Sequence, residues 1–261
     1  MSGSRPLFRP LFGGTQPQAT GPGSQTPIVD GFYGEVSAQE LYTGDELALM
    51  LGVTEGVSIN SDAGWLKFAH EDSILFIAKR PFRYSISWAH LYERGLVYGT
   101  DDTGKAPYGT PTNQLTKVRK NGNDFVVRLM TGANADPFAE SDPLFFTADM
   151  YQQNVGGGSE WNDLIYRIHQ AVPSDPATDG FQADRHGGPQ AGPNWANYTD
   201  ADIGIASGLA RASWVQEQSD VNSAYRAYRG HYDLAYFYCY TATYVASSLG
   251  WRPVLQLIPN N

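Results

Sequence analysis

Residues 229–257 read RGHYDLAYFYCYTATYVASSLGWRPVLQL, and the fold is read outward from them. Tyr236, Tyr238 and Tyr240 fall on one face of an extended segment, with Phe237 and Cys239 on the other. Aromatic residues at that density favour a pleated surface over a helix. Ser247, Ser248 and Gly250 break the run. After them Trp251, Pro253, Leu255 and Leu257 alternate with Arg252, Val254 and Gln256, which predicts a second strand over 251–257 with Pro253 at an edge or a strand start. The stretch is therefore expected to be two strands and a turn that close the fold.

Working back from it, residues 210–216 (ARASWVQ) read as a strand, and Thr199 as the cap of a helical turn over 200–203. Ser159, ahead of Glu160, caps an expected amphipathic helix in which Trp161, Leu164, Ile165 and Ile168 recur at i, i+3, i+4 and i+7. Residues 115–119 and 125–130 flank Lys120-Asn121-Gly122-Asn123, an Asn-Gly hairpin turn. Residues 65–69 and 74–78 flank His70-Glu71-Asp72-Ser73 and read as another antiparallel pair, with Trp65, Phe68, Leu75, Phe76 and Ile77 as core. Pro81 ends that pair, Ser87 caps a short helix over 88–94, and Gly95 stops it. A further helix is expected over 37–51, with Thr43 as a cap and Gly52 past its end. Residues 99–112 and 172–193 are loops by composition. Strands and short helices without repeated βαβ units indicate an α+β class. The expected organisation is an extended arm over 1–29, a short helical linker over 30–59 and a globular domain over 60–261.

The formal charge of −9 and a pI near 4.9 disfavour nucleic acid as a partner, since phosphate binding draws on clustered Lys and Arg. Lys117, Arg119 and Lys120 are basic, and read as a solvated hairpin tip. The single cysteine, Cys239, excludes an internal disulfide framework and a Cys-based zinc cluster, and its apolar surroundings predict a buried small hydrophobe. No stretch is apolar enough to span a bilayer and the N-terminus lacks a signal-peptide core, so a soluble protein made in a cytoplasm is expected. The arm, rich in Pro, Gly, Ser and Gln, carries Arg5-Pro6-Leu7-Phe8 and then Arg9-Pro10-Leu11-Phe12, a repeat of the kind that docks as a short linear element.

The sequence lacks GxSxG, GxxxxGK, HExxH and CxxC, which removes the cheapest support for hydrolase, nucleotide and zinc chemistry. Its five histidines are scattered, and each reads as surface or structural. Asp175, Asp179, Asp184 and His186 share a loop that offers oxygen ligands of the type calcium accepts; the spacing is not that of an EF-hand, and a solvated acidic loop is the simpler reading. Glu160 and Asp163 lie one helical turn apart, as acid and base could, and read more simply as a helix-start charge and an exposed polar position. No cofactor and no metal are predicted.

Four pieces taken together, WLKFAHEDSILFIAKRPFRYSISWAHLYERGLVYG at 65–99, SEWNDLIYRI at 159–168, ASWVQE at 212–217 and the RG…GWRPVLQL of 229–257, resemble tailed-bacteriophage virion structural proteins of the tail-fibre kind. The resemblance spans residues 60–257 and leaves the first 59 outside it. Gly250-Trp251-Arg252-Pro253-Val254 resembles the last strand of C-type-lectin-like folds, including phage tropism determinants and formylglycine-generating enzymes. The enzyme branch needs a cysteine pair, so its activity does not carry over. Trp161-Asn162-Asp163 matches a lectin calcium motif in letters, but its Glu-Pro-Asn partner is missing.

The resemblance implies a non-enzymatic virion component of tail fibre, baseplate or head fibre. It would be docked on other virion proteins through Arg5, Leu7, Phe8, Arg9, Leu11 and Phe12, and trimeric by family analogy. It further implies that the first and last strands pair near the base, with long loops clustered away from them as the binding surface. Either these loops only contact neighbouring virion subunits, or they meet a host surface glycan, with Tyr108, Phe181 and Trp195 as stacking rings and Asp179 and Asp184 as hydroxyl acceptors. The alternative is a glycan-processing enzyme of the virion using the loop carboxylates.

Overall fold

The computed structural model describes residues 29–139, 159–172 and 194–259. The docking repeat of the arm, and Asp179, Phe181 and Asp184, lie outside these residues. The described chain is mainly β with few short helices, an α+β arrangement built on two six-stranded sheets. The first sheet orders β1 (Gly31–Val36), β3 (Trp65–His70), β4 (Ser73–Ala78), β12 (Val254–Ile258), β7 (Asn123–Arg128) and β6 (Lys117–Lys120). The second orders β10 (Phe237–Thr241), β9 (Tyr225–Arg229), β8 (Ala212–Gln218), β11 (Leu249–Trp251), β5 (Arg83–Tyr84) and β2 (Val57–Ser58). Every pairing is antiparallel except β8 with β11.

The two long hairpins form where turn chemistry demands them. In β3–β4 the two-residue turn is Glu71-Asp72, both at positive φ, and in β6–β7 it is Asn121-Gly122, at φ 51° and 81°. Consecutive positive φ values give the turn a twist that matches the strands it joins. Thr43 caps α1 (Gly44–Met50), Ser87 caps α2 (Trp88–Tyr92), and Thr199 with Asp202 forms a capping box on α3 (Asp200–Ile203). The expected helix over 37–51 is thus confined to Gly44–Met50, because the Ser37–Glu40 hydrogen bonds hold the preceding segment as a separate turn.

Alternate residues of one strand enter two different hydrophobic clusters. Trp65 and Phe76 join one with Trp88, Trp214 and Trp251; Leu66, Phe68 and Leu75 join the other with Trp161, Val215 and Phe237. Strands covered on both faces do not show a clean inside–outside alternation. The first cluster also takes Leu41, Tyr42, Leu47 and Val53, while β1 and β2 enter the two sheets. Residues 30–59 are therefore part of the folded unit and not a linker.

Four further expectations are corrected. The segment 251–257 is not one strand: β11 ends at Trp251, β12 starts at Val254, and Arg252-Pro253 hands the chain from one sheet to the other. Proline has no N–H for a ladder, and the Arg252 side chain is fully buried at the crossing, where Nε donates to Ser213 Oγ and the terminal amino groups donate to the carbonyls of Lys79 and Ile203. The first and last described strands do not pair either; β12 sits mid-sheet between β4 and β7, whereas β1 lies at the end beyond β3.

The amphipathic helix of 161–168 is instead a π-helical turn (Trp161–Ile165) followed by a 3₁₀ turn (Tyr166–Ile168). Its four apolar positions are buried as the spacing requires, but so are Asn162 and Tyr166, which leaves only Asp163 and Arg167 partly exposed. Glu160 is not a solvated helix-start charge. It is buried, bridges Arg128 through both carboxylate oxygens and accepts the Thr131 N–H.

Candidate functional site: a tyrosine cluster on the second sheet

The strand pair β9–β10 places Tyr228 directly opposite Tyr238. Between the strands, residues 230–236 form a short connection whose shape is set from beneath. Gly230 has φ +84°, and a Cβ there would stand 2.9 Å from the Trp161 ring, so only glycine fits. The Trp161 indole N–H donates to the Leu234 carbonyl at 2.9 Å, and the Gly230 N–H donates to Tyr236 O. Trp161 lies in turn between two buried guanidinium groups, Arg229 at 5.6 Å and Arg252 at 5.8 Å from its centroid. Arg229 donates to Gly132 O and Asn162 Oδ1. Burial lowers the Arg229 and Arg252 pKa values to about 10 and about 9, which leaves both charged at neutral pH.

On the outer side of this brace the side chains are aromatic. Tyr232 meets His231 edge-on at 4.2 Å and Tyr236 at 5.0 Å, while Tyr228 lies 6.1 Å from each of His231, Tyr236 and Tyr238. Edge-to-face contacts at these separations are favourable in themselves. Tyr232 is 61% exposed; Tyr240 and Tyr244, whose rings lie 3.9 Å apart, are also exposed, at the opposite end of β10. Burial, followed by the neighbouring Tyr236 hydroxyl, raises the Tyr228 phenol, so it remains neutral.

His231 is wired to one partner. Its Nε2 stands 3.1 Å from Arg211 Nη2, and a guanidinium only donates, so Nε2 accepts and the ring hydrogen is on Nδ1. Burial first, then the Arg211 charge, holds this imidazole below its ordinary pKa. With its lone pair engaged, His231 is a hydrogen-bond donor here and not a base. The arrangement offers flat apolar faces and donors, which is the chemistry of recognising a ring-shaped hydroxylated ligand or an aromatic side chain.

Other polar constellations are structural in their wiring. Ser87, Glu55 and His90 border a cleft of about 510 Å³ and have the residue types of a hydrolytic triad. However, Ser87 Oγ donates to Glu55 Oε2 at 2.7 Å and caps the His90 N–H, while His90 Nε2 accepts the Glu55 N–H. The carboxylate lies between serine and imidazole, so the imidazole does not address the hydroxyl as it does in a hydrolytic triad. Among the described residues no group of three or more His, Cys, Asp or Glu converges to hold a metal ion.

The expected loop contacts are placed as follows. Tyr108 is half-buried in the loop over 99–112, edge-on to Trp88 at 6.2 Å and 5.5 Å from Arg226. Trp195 is half-buried with the Arg167 guanidinium 3.7 Å from its ring centroid. They pack against different hydrophobic clusters and are not brought together. The residues that sequence reasoning missed are Arg211, His231 and Tyr232. The available signal was the run of tyrosines in 232–244, read there for strand character alone. No protein-family model, no curated protein and no solved structure matches the chain.

Proposed function

We propose that the chain is a non-enzymatic structural protein of a tailed-bacteriophage particle, and that its tyrosine cluster is the surface it turns toward the host envelope. The observation that carries this reading is the contrast between the two sides of the 230–236 connection. Beneath it, Trp161, Arg229 and Arg252 form a fully buried brace; on the connection itself Tyr232 is exposed, and Tyr240 and Tyr244 are exposed at the opposite end of β10. A tyrosine ring offers a large flat contact surface with few rotatable bonds to fix, and exposed tyrosine is a recognition residue. In this reading the arm over 1–29 docks on neighbouring virion proteins, and the protein is an oligomer on the particle.

The glycan-processing alternative draws no support from Ser87, Glu55 and His90, for the wiring reason above. Incubation with host surface polysaccharide separates the two readings. The proposal expects retention of the intact polymer on the protein, and release of oligosaccharide would overturn it. Particles carrying Tyr232→Ala with Tyr240→Ala are expected to assemble normally and to adsorb poorly to host cells.

A further inference from the structure

The Arg211–His231 pair has unused capacity. Arg211 has no carboxylate partner among the described residues, in a chain of net charge −9, and its single hydrogen bond is to a neutral imidazole. Two donors of the pair, Arg211 Nε and His231 Nδ1, are buried with no hydrogen-bond acceptor. Buried donors are ordinarily satisfied, and two unsatisfied donors on directly hydrogen-bonded residues call for an explanation, which an acceptor from a ligand supplies. Tyr232 stands over the guanidinium at 5.4 Å and against His231 at 4.2 Å, with Tyr236 and Tyr228 at 5.5 Å and 6.1 Å from the imidazole, and Tyr232 is the most exposed ring of the cluster. Rotation of an exposed side chain is fast and costs little, so Tyr232 is the ring of this group that turns outward most easily.

We propose that this pair anchors a saccharide site whose ligand is an acidic sugar residue, a carboxylated pyranose of a surface polysaccharide; the inference rests on the host-contact reading above. One unpaired guanidinium matches one carboxylate, and its planar donors suit that group better than a neutral hydroxyl. His231 Nδ1–H donates to a ring or hydroxyl oxygen. Tyr232, once turned, and Tyr236 offer faces on which the C–H side of a pyranose stacks. A neutral sugar would leave the guanidinium uncompensated, and a purely anionic peptide would leave the aromatic faces unused.

The test is calorimetric titration of the full-length protein with tetragalacturonic acid, maltotetraose and tetraglutamate, using wild type, Arg211→Gln, Arg211→Lys and Tyr232→Ala. The uronate is expected to bind at least about tenfold more tightly than either control, in line with one added charge-assisted contact. Arg211→Gln should remove that preference, Arg211→Lys should lose part of it with the planar fork, and Tyr232→Ala should weaken both sugars. Should Arg211→Gln not fold, Arg211→Lys and Tyr232→Ala decide the matter. Equal affinity for maltotetraose, equal affinity for tetraglutamate, or indifference to the Arg211 substitutions would overturn the proposal. Host adsorption of the same variants separates the two levels. Adsorption lost without uronate preference overturns the acidic-sugar inference alone, whereas uronate preference with adsorption unchanged overturns the host-contact reading.

Discussion

The Arg252 guanidinium stands 5.8 Å from the ring centroid of Trp161, fully buried and without a carboxylate partner among the described residues. Its charge is spread over carbonyl oxygens of Lys79 and Ile203 and the Ser213 hydroxyl, three segments that meet where β11 passes into β12. Ile203 ends α3, so its carbonyl belongs to the electronegative end of a helical turn. One side chain therefore fixes a sheet-to-sheet crossing, a helix terminus and the ring that braces the tyrosine cluster.

Replacing Arg252 with methionine keeps much of the volume and removes every donor. The Ile203 and Lys79 carbonyls would then be buried without partners, and leaving a buried acceptor unsatisfied costs about 1–3 kcal/mol. Urea denaturation is expected to show a large drop in midpoint, and an unchanged midpoint would show that the crossing is held by packing alone.

Trp161→Ala removes a wholly buried ring and the hydrogen bond to Leu234 O together. A loss of about 3–5 kcal/mol is expected from truncating such a residue. Beyond the stability change, amide hydrogen exchange in 230–236 should rise more than in β3 or β4. Uniform acceleration across all strands would contradict the brace.

Gly230→Ala probes the same contact with the opposite change in volume. The added Cβ meets the Trp161 ring at 2.9 Å and the backbone holds φ +84°, so strain and overlap act together. The expected cost is about 2–4 kcal/mol, read from thermal unfolding. Gly52→Ala serves as the control, with a similar φ of +65° and open space around the site; its cost should be about 1 kcal/mol.

Two buried glutamates are pushed in opposite directions. At Glu160 burial raises the pKa, but the Arg128 charge and its hydrogen bonds, with the Thr131 N–H, more than offset that and the net shift is downward. Glu217 faces Asp136 instead; burial dominates, and despite N–H groups from Gly132 and Ala133 its pKa rises to about 8. The folded state thus keeps a proton on Glu217 that the unfolded chain gives up near the ordinary value of 4.5. Its contribution to stability is fully present below 4.5 and is lost as pH rises through about 8. Glu217→Gln should flatten the fall in urea midpoint between those pH values; an identical fall in the variant would show that another group is responsible.

Much of the fold is legible in the sequence where one local rule acts alone. Asn121-Gly122 demands positive φ, and Thr43, Ser87 and Thr199 cap the helices that follow them. It is illegible where tertiary contacts override the local pattern. The alternation of 251–257 is real, yet Arg252 spends its side chain inside the protein and turns one apparent strand into a crossing between sheets. The i, i+3, i+4 spacing of Trp161, Leu164 and Ile165 is also real, but Glu160 is pulled to Arg128 and Asn162 to Arg229, and the turn opens to a π-helical one. The tyrosine cluster was visible as strand-forming residues. Its polar centre was not, since Arg211 and His231 are 20 residues apart and meet only through the pairing of β8 with β9.

The most direct test of the central claim is adsorption of particles carrying Tyr232→Ala with Tyr240→Ala, scored against particle assembly. Neither residue belongs to either hydrophobic core cluster, so the substitutions open no core cavity. Normal incorporation with a large loss of adsorption is the result expected of a host-contact surface. Wild-type adsorption by particles that contain the doubly substituted protein would contradict it.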